Sequence, residues 1–334
     1  MGLQGPAKIL WKKDVGEGYS SPSISGGRLF IMGLKGSELT VTCLDAASGR
    51  EIWKRSLQSA WFPESTPAID GERLYCLNQN GRLLCLLTSN GKTVWEADLA
   101  GGLGAQRPAR GWAGSPVIEG NLLLLNANSK QIALDKMTGK LRWQFEDTVP
   151  PASEGSYTAP VVADIDGVRH VFFLGPSNLI VVDASSGKQA WSYPHGDYVL
   201  SGADVVVSAK EAFVTHPGEC ALLRISRTEA TAAWRSTDLT TWLPAPVLLN
   251  GFLYGTYIPP GLWITSWTGL DAASEFRCLD WKTGKVMWGN QEIASTSVLA
   301  DTKGPRTYAV PPVLCDGRLY CRNCVGDLTC IDVR

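Results

Sequence analysis

The stretch "ALDKMTGKLRW" (Ala133–Trp143) decides the fold, because the chain writes it again and again. Close copies stand at Cys43–Trp53 ("CLDAASGREIW"), Cys85–Trp95 ("CLLTSNGKTVW"), Val181–Trp191 ("VVDASSGKQAW") and Cys278–Trp288 ("CLDWKTGKVMW"). A degraded copy, "RISRTEATAAW", ends at Trp234. Self-similarity at a long period marks a repeat architecture, in which each unit is one small supersecondary element.

The unit Ser65–Trp95 shows which element. "PAI" reads as a short strand, and Asp70-Gly71 as a hairpin turn. "RLYCLN" is a second strand, and Asn80-Gly81 a two-residue turn that places Cys76 opposite Cys85. "RLLCLL" is a third strand, "TSNGK" turns again, and "TVW" begins a fourth. Four antiparallel strands every 42–54 residues make one propeller blade. In the motif, the Asp (Asp45, Asp135, Asp183, Asp280) caps the turn that follows. Its Gly supplies a positive φ, and its small head residue leaves room for the large terminal Trp, buried between blades.

Trp11, in "AKILW", supplies a seventh terminal Trp, and "CIDVR" (Cys330–Arg334) repeats the front half of the motif. The expectation is an all-β, seven-bladed propeller of four-stranded antiparallel blades occupying residues 1–334 as one domain. Blade seven is split between residues 8–15 and 311–334, so the N-terminal strand closes the ring beside Cys330–Asp332. The same spacing sets Cys321 opposite Cys330.

The eleven-residue pattern resembles the repeat of the pyrroloquinoline quinone (PQQ)-like β-propeller family, and "VGEGYSSPSISGGRLF" (Val15–Phe30) looks like a first blade of such proteins. That resemblance implies two kinds of function. The PQQ-dependent dehydrogenases of the family are longer and carry eight blades, an adjacent Cys pair and calcium ligands; no adjacent Cys pair exists here. The other relatives are non-enzymatic, among them an outer-membrane assembly lipoprotein and sensor or surface modules.

Composition narrows the field. The 334 residues are 44% hydrophobic and 19% charged, an ordinary globular balance with ample core. The formal net charge of -1 and the lack of any long Lys/Arg run argue against nucleic acid as a partner. No apolar stretch reaches the length of a transmembrane helix. "MGLQGPAKILWKK" lacks a signal-peptide core, so the expectation is a periplasmic or secreted protein whose leader was removed, with a cytoplasmic one as the alternative. Nine cysteines leave at least one unpaired in any compartment.

Candidate chemistry sits on one end of the blades. The "TGK" turns share a tight end; the opposite end carries long connections, where function concentrates on a rigid scaffold. These are Gly101–Trp112, Gln144–Tyr157, Gly289–Tyr308 and an insertion in blade six, Thr256–Ser274. The aromatic candidates for ligand contact are Trp61, Trp112, Tyr157 and Trp242, and then Tyr257, Trp263, Trp267 and Tyr308. Arg107, Arg110 and Arg306 accompany them, and such rings with a few polar partners suit sugars or extended peptides. Three His residues show no metal-ligand spacing, and no nucleophile elbow occurs. His216 and Cys220 share the loop "HPGEC" near His195, and Cys321-x-x-Cys324 is a weak redox signature on a strand. The expected function is a non-catalytic, monomeric binding or scaffolding propeller without a cofactor, its long-loop end taking a protein, peptide or glycan. A quinoprotein-type oxidoreductase using PQQ is the alternative.

Overall fold

The computed structural model describes residues 9–59, 61–128, 130–146, 155–175, 177–196, 200–241, 243–258, 275–290, 311–322 and 328–333. Trp242, Trp263, Trp267, Arg306 and Tyr308 lie outside them. The chain divides into two compact units, Met1–Thr148 and Val149–Arg334. Among the described residues there is no helix, and all regular structure is strand.

The first unit holds three antiparallel four-stranded sheets in simple up-and-down order. The first contains β1 (Ser23–Ser25), β2 (Arg28–Lys35), β3 (Glu38–Asp45) and β4 (Glu51–Gln58). The second contains β5 (Ala68–Asp70), β6 (Arg73–Leu77), β7 (Arg82–Leu87) and β8 (Thr93–Asp98). The third contains β9 (Val117–Glu119), β10 (Leu122–Ala127), β11 (Lys130–Asp135) and β12 (Leu141–Glu146).

The second unit begins with β13 (Gly155–Ser156), then β14 (Val161–Ile165), β15 (Val168–Leu174), β16 (Asn178–Asp183) and β17 (Gln189–Pro194) as a sheet. The short β18 (Leu200–Ser201) pairs in parallel with β13. A further sheet is β19 (Val206–Ser208), β20 (Glu211–Thr215), β21 (Cys220–Ile225) and β22 (Ala230–Ser236). Next come β23 (Val247–Leu249), β24 (Phe252–Tyr257), β25 (Glu275–Asp280) and β26 (Val286–Asn290). The last sheet has three strands, β27 (Val313–Cys315), β28 (Arg318–Arg322) and β29 (Leu328–Asp332).

The middle strands are buried along nearly their whole length, and consecutive sheets of a unit share cores. Phe30, Met32 and Val41 share one core with Leu74 and Leu86 of the next sheet. Tyr75 and Leu83 share another with Leu123 and Leu134. In the second unit, Phe172 and Val181 pack with Val214 and Leu223. Fourth strands such as β8 are largely exposed.

The repeated motif is the joint between consecutive sheets. Asp45 Oδ1 accepts from the Ser48 backbone N–H at 2.8 Å, and the Gly49 N–H returns to the Asp45 carbonyl at 2.8 Å. Hydrogen bonds from the Ser48 hydroxyl and backbone hold the Asp45 carboxyl below its ordinary pKa. The turn so closed becomes a seat for an indole. The Trp53 Nε1–H donates to the Thr88 carbonyl at 2.9 Å, and a Cβ at Gly91 would come within 2.8 Å of the Trp53 ring. Trp95 sits likewise on Gly139, and Trp234 on Gly284. Gly91 also has φ 70°, so glycine is required there twice over. Trp143 and Trp191 are buried, while Trp53 and Trp95 are partly buried.

In five sheets the terminal Trp lies directly opposite the motif's head residue, as Cys43 opposite Trp53 and Cys85 opposite Trp95. The small head residue lets an aromatic ring on the second strand reach the Trp. Phe30 and Trp53 have centroids 5.9 Å apart, as do Tyr75 and Trp95. In all six four-stranded sheets the ladder slips by one residue just past the Trp pair, a bulge that accommodates the turn.

Three expectations are corrected. Asn80-Gly81 does not form a two-residue turn: the Asn78 N–H donates to the Arg82 carbonyl, and Asn78 Oδ1 accepts from the N–H groups of both Asn80 and Arg82. The hairpin therefore has one more loop residue, Cys76 pairs with Leu84, and Cys85 pairs with Tyr75. A one-residue slip sends the two thiols to opposite faces. Likewise Cys321 pairs with Thr329 and Cys330 with Tyr320.

The degraded copy differs too. Trp234 pairs with Leu222, so its hairpin is two residues longer than the others, and Ser226 Oγ takes over the Asp's capping by accepting from the Thr228 and Glu229 N–H groups. Finally, Ile9–Val15 forms no strand, and the nearest pairing is a single bridge from Glu17 to Leu34. Gly16 and Gly18, at φ 91° and 154°, turn the chain away from extended form. Trp11 nevertheless takes its expected seat, over Gly49 with its Nε1–H on the Ala46 carbonyl at 3.2 Å.

Two outcomes test this account. Gly91→Ala should cost about 2–4 kcal/mol, since it adds ring overlap to backbone strain, whereas Gly120→Ala should cost about 1 kcal/mol. Gly120 also has positive φ but nothing within 4 Å of its added Cβ. Equal losses in urea unfolding would show that the indole seat carries no stability. Thiol titration of the denatured, unreduced chain should count all nine cysteines as free, since the eight described are free and neither pair is in register. Any smaller count reveals a bridge.

Candidate functional site

In the first unit the connections are held by a zipper of backbone contacts at the end away from the motif turns. The Tyr19 and Ser20 N–H groups both donate to the Pro63 carbonyl, at 2.8 and 3.1 Å. Ser21 N–H donates to Thr66 Oγ1, the Ser23 hydroxyl to the Pro67 carbonyl, and Thr66 N–H to Ser115 Oγ. Three incoming segments are thereby tied at one end of the sheets. Upon this base Tyr19 (64% exposed), Trp61 (54%) and Phe62 (38%) present aromatic rings to solvent. Large rings are rarely left so exposed on a framework this well tied.

Beside them, burial raises the Glu64 carboxyl above its ordinary pKa while Arg110 and a hydrogen bond from Gln79 pull the other way. Arg110 is partly buried and Arg107 exposed. Trp112 is 1% exposed, with its ring against Gly81, where a Cβ would come within 2.6 Å. It packs the end of the second sheet and offers no open face. Of the expected residues in this unit, the structure gathers Trp61 and Arg110 near the same zipper. Sequence reasoning missed Tyr19 and Phe62; the signals were Tyr19 in "GEGYSS" and the adjacency in "AWFPES".

The corresponding end of the second unit is polar and enclosed. Tyr157 is partly buried next to the β13–β18 pair, where the Ser156 and Thr158 hydroxyls both donate to the Leu174 carbonyl at 2.6 and 2.8 Å. Asp204 accepts from the Ala159 N–H at 2.7 Å, and burial pushes its carboxyl up to about 6. Tyr257 carries the Arg277 guanidinium 3.3 Å from its ring centroid, so one ring face is taken. Arg277 is held there by Glu275 at 2.9 Å and the Asp238 carbonyl at 3.0 Å.

His195 and His216, distant in sequence, stack with centroids 5.1 Å apart and 19° between planes. His195 Nε2 faces the Gly175 carbonyl at 2.9 Å and so donates to it; His216 Nδ1 faces the Gly218 and Glu219 N–H groups and so accepts. Both rings are neutral. Burial brings His195 down to about 4, and burial, with the charge of His195 and of Arg235, brings His216 down to about 3. Cys220 has no part in a nucleophilic pair: it is buried, its thiol donates to the Ser236 carbonyl, and burial pushes it up to about 12. Cys321 is also raised to about 12 by burial, which keeps it a thiol rather than a reactive thiolate. Cys324 lies outside the described residues. Among the described residues no three His, Cys, Asp or Glu side chains gather as a metal ion requires, and no helix is long and apolar enough to cross a membrane.

The two histidines give a pH dependence. Their folded pKa values lie below the unfolded value of about 6.5, so the unfolded chain binds protons first and stability falls as pH drops below about 6.5. Asp204 acts in the opposite sense as pH rises from about 4 to its value of about 6. The difference between the chain and His216→Gln isolates the His contribution. The melting temperature of the variant should fall less between pH 7 and pH 5 than that of the unaltered chain; parallel curves would mean that the stack does not hold a neutral His216.

Comparison with known proteins now bears on this geometry. A family description for outer membrane protein assembly factor BamB matches residues 37–290. The outer membrane protein assembly factor BamB of Escherichia coli is 29% identical over 153 residues, 43% of this chain and 32% of that protein. The quinohemoprotein alcohol dehydrogenase ADH IIB of Pseudomonas putida is 30% identical over 128 residues, 33% of this chain and 18% of that protein. The match thus spans less than a third of either relative. Among solved structures, BamB from Moraxella catarrhalis superposes with a TM-score of 0.64 at 18% identity, over 92% of this chain and 82% of that one. That likeness fixes the fold as a β-propeller of antiparallel sheets. With more than half of its length inside the matching description, the chain belongs to the BamB family of PQQ-like repeat proteins.

Proposed function

We propose that this chain is a non-catalytic scaffold in outer-membrane protein assembly, holding a protein partner on the loop end of its sheets. The observation that carries this reading is the exposed Tyr19, Trp61 and Phe62 on a hydrogen-bonded base, in a chain whose family is described by that assembly role. Exposed aromatics on rigid supports are the usual anchors of protein interfaces, because they bury much area at little entropic cost. In this reading Arg107 and Arg110 supply the polar rim of the anchors. In the same reading the motif-bearing sheets are the seven blades of a propeller, and the protein works as a monomer on the periplasmic side of the envelope.

A second reading, a quinoprotein oxidoreductase, draws on the likeness to the Pseudomonas putida dehydrogenase. The fit is poor: the sequence has no adjacent Cys pair, and the described residues gather no set of three carboxylate, His or Cys ligands.

The decisive experiment compares the chain with a Trp61→Ala/Phe62→Ala double variant in envelope preparations. Recovery of outer-membrane assembly proteins with the variant should drop by about ten-fold or more, while its melting temperature stays unchanged, as exposed substitutions allow. Equal recovery would remove the aromatic site. Dye-linked alcohol oxidation on adding PQQ with calcium would replace the scaffold reading with the quinoprotein one.

A further inference from the structure

The turn end of the second unit carries a cleft of about 480 Å³. It opens where the β16–β17 turn faces the β21–β22 turn, whose hairpin is two residues longer than those of the other described four-stranded sheets. Elsewhere a glycine turn closes over the neighbouring indole, as Gly91 does over Trp53. Here Trp191 still donates to the facing turn, at the Ser226 carbonyl, but the longer Ser226–Glu229 turn replaces the glycine seat. A cavity at the single broken copy of a repeat is a feature of this chain and not of its architecture.

The chemistry of the lining is specific. Val168 and Ala190 contribute apolar surface, and Lys188 and Arg227 reach the cleft from the two facing turns. Neither cation has an ion-pair partner among the described residues, unlike Lys210 with Asp166 and Lys282 with Glu211 at the same end of neighbouring sheets. The one acid of the lining, Asp183, spends its Oδ1 on the hydroxyls and N–H groups of Ser185 and Ser186. With two cations against one carboxylate the lining carries an excess of positive charge. His170 adds a ring that is 2% exposed, oriented by its Nδ1–H donating to the Val168 carbonyl at 2.9 Å. The volume suits a small ligand, and an arginine beside an apolar wall is suited to a carboxylate on a short hydrocarbon stem.

We propose that this cleft binds a carboxylate carried on a short apolar stem, Arg227 and Lys188 holding the anion and Ala190 and Val168 receiving the stem. The carboxylate is borne either by an acidic residue of a polypeptide or by a free organic acid. The test titrates the full chain, followed by backbone amide NMR shifts, with three probes: a blocked peptide containing one Glu, its Gln analogue, and glutarate. The expected result is saturable shifts confined to residues 183–190 and 226–229 with the Glu peptide or with glutarate, and none with the Gln analogue. Whichever of the two binds identifies the source. A Lys188→Ala/Arg227→Ala variant, altered only at exposed positions, should keep its melting temperature and bind at least about ten-fold more weakly. Failure of both carboxylates to saturate, equal binding of the Gln analogue, or undiminished affinity in the variant would each overturn the proposal.

Discussion

Within each unit, consecutive sheets are tied together by an indole resting on a turn. A Trp within the fourth strand lays its ring on the following sheet's motif turn and donates its Nε1–H to a carbonyl there: Trp53 to Thr88, Trp95 to Lys136, Trp191 to Ser226 and Trp234 to Trp281, while Trp11, outside any strand, does the same to Ala46. Geometry explains the glycine below the ring. It must bring its backbone flush with a flat surface and also take a positive φ, and no other residue does both without strain. The Asp of the motif prepares that seat by satisfying the N–H groups inside the turn, which leaves the outer carbonyl free to accept from the indole. A polar cap and an apolar contact are thus two halves of one joint.

The joint also organises the core above it. A small head residue lies between the Trp and an aromatic ring of the second strand, and the Phe30–Cys43–Trp53 row recurs as Phe172–Val181–Trp191. Three of the nine cysteines are therefore spacers: Cys43, Cys85 and Cys278 are buried head residues. Their thiols are raised by burial, which suits packing and removes them from redox or nucleophilic work.

With the sheets fixed in this way, variation is confined to their ends. At the loop end of the first unit, hydrogen bonds among Tyr19, Pro63 and Ser115 segments turn otherwise free connections into a support for exposed rings. At the loop end of the second unit the described residues make enclosed polar contacts, with stacked neutral histidines and an Arg277 cation over Tyr257. At the turn end, the one copy that lost its glycine opens the cleft. Departure from the repeat, in each place, coincides with chemistry that the repeat alone does not need.

By itself, the sequence determined the all-β repeat, the positions of most turns, and the partnership of Asp and Gly within each motif turn. Those features depend on residues within about five positions of one another, where turn chemistry acts locally. Tertiary structure decided the rest. The register of the β6–β7 hairpin hung on one extra loop residue, set by the Asn78 side chain, and that residue moved Cys76 away from Cys85. Exposure was equally undecided by sequence: Trp61 and Trp112 both stand in connections between sheets, yet one is open to solvent and the other is sealed against Gly81. The cleft beside Lys188 needed Arg227 to arrive from a neighbouring sheet. What a side chain faces is set by segments far along the chain, and no local pattern of letters carries that information.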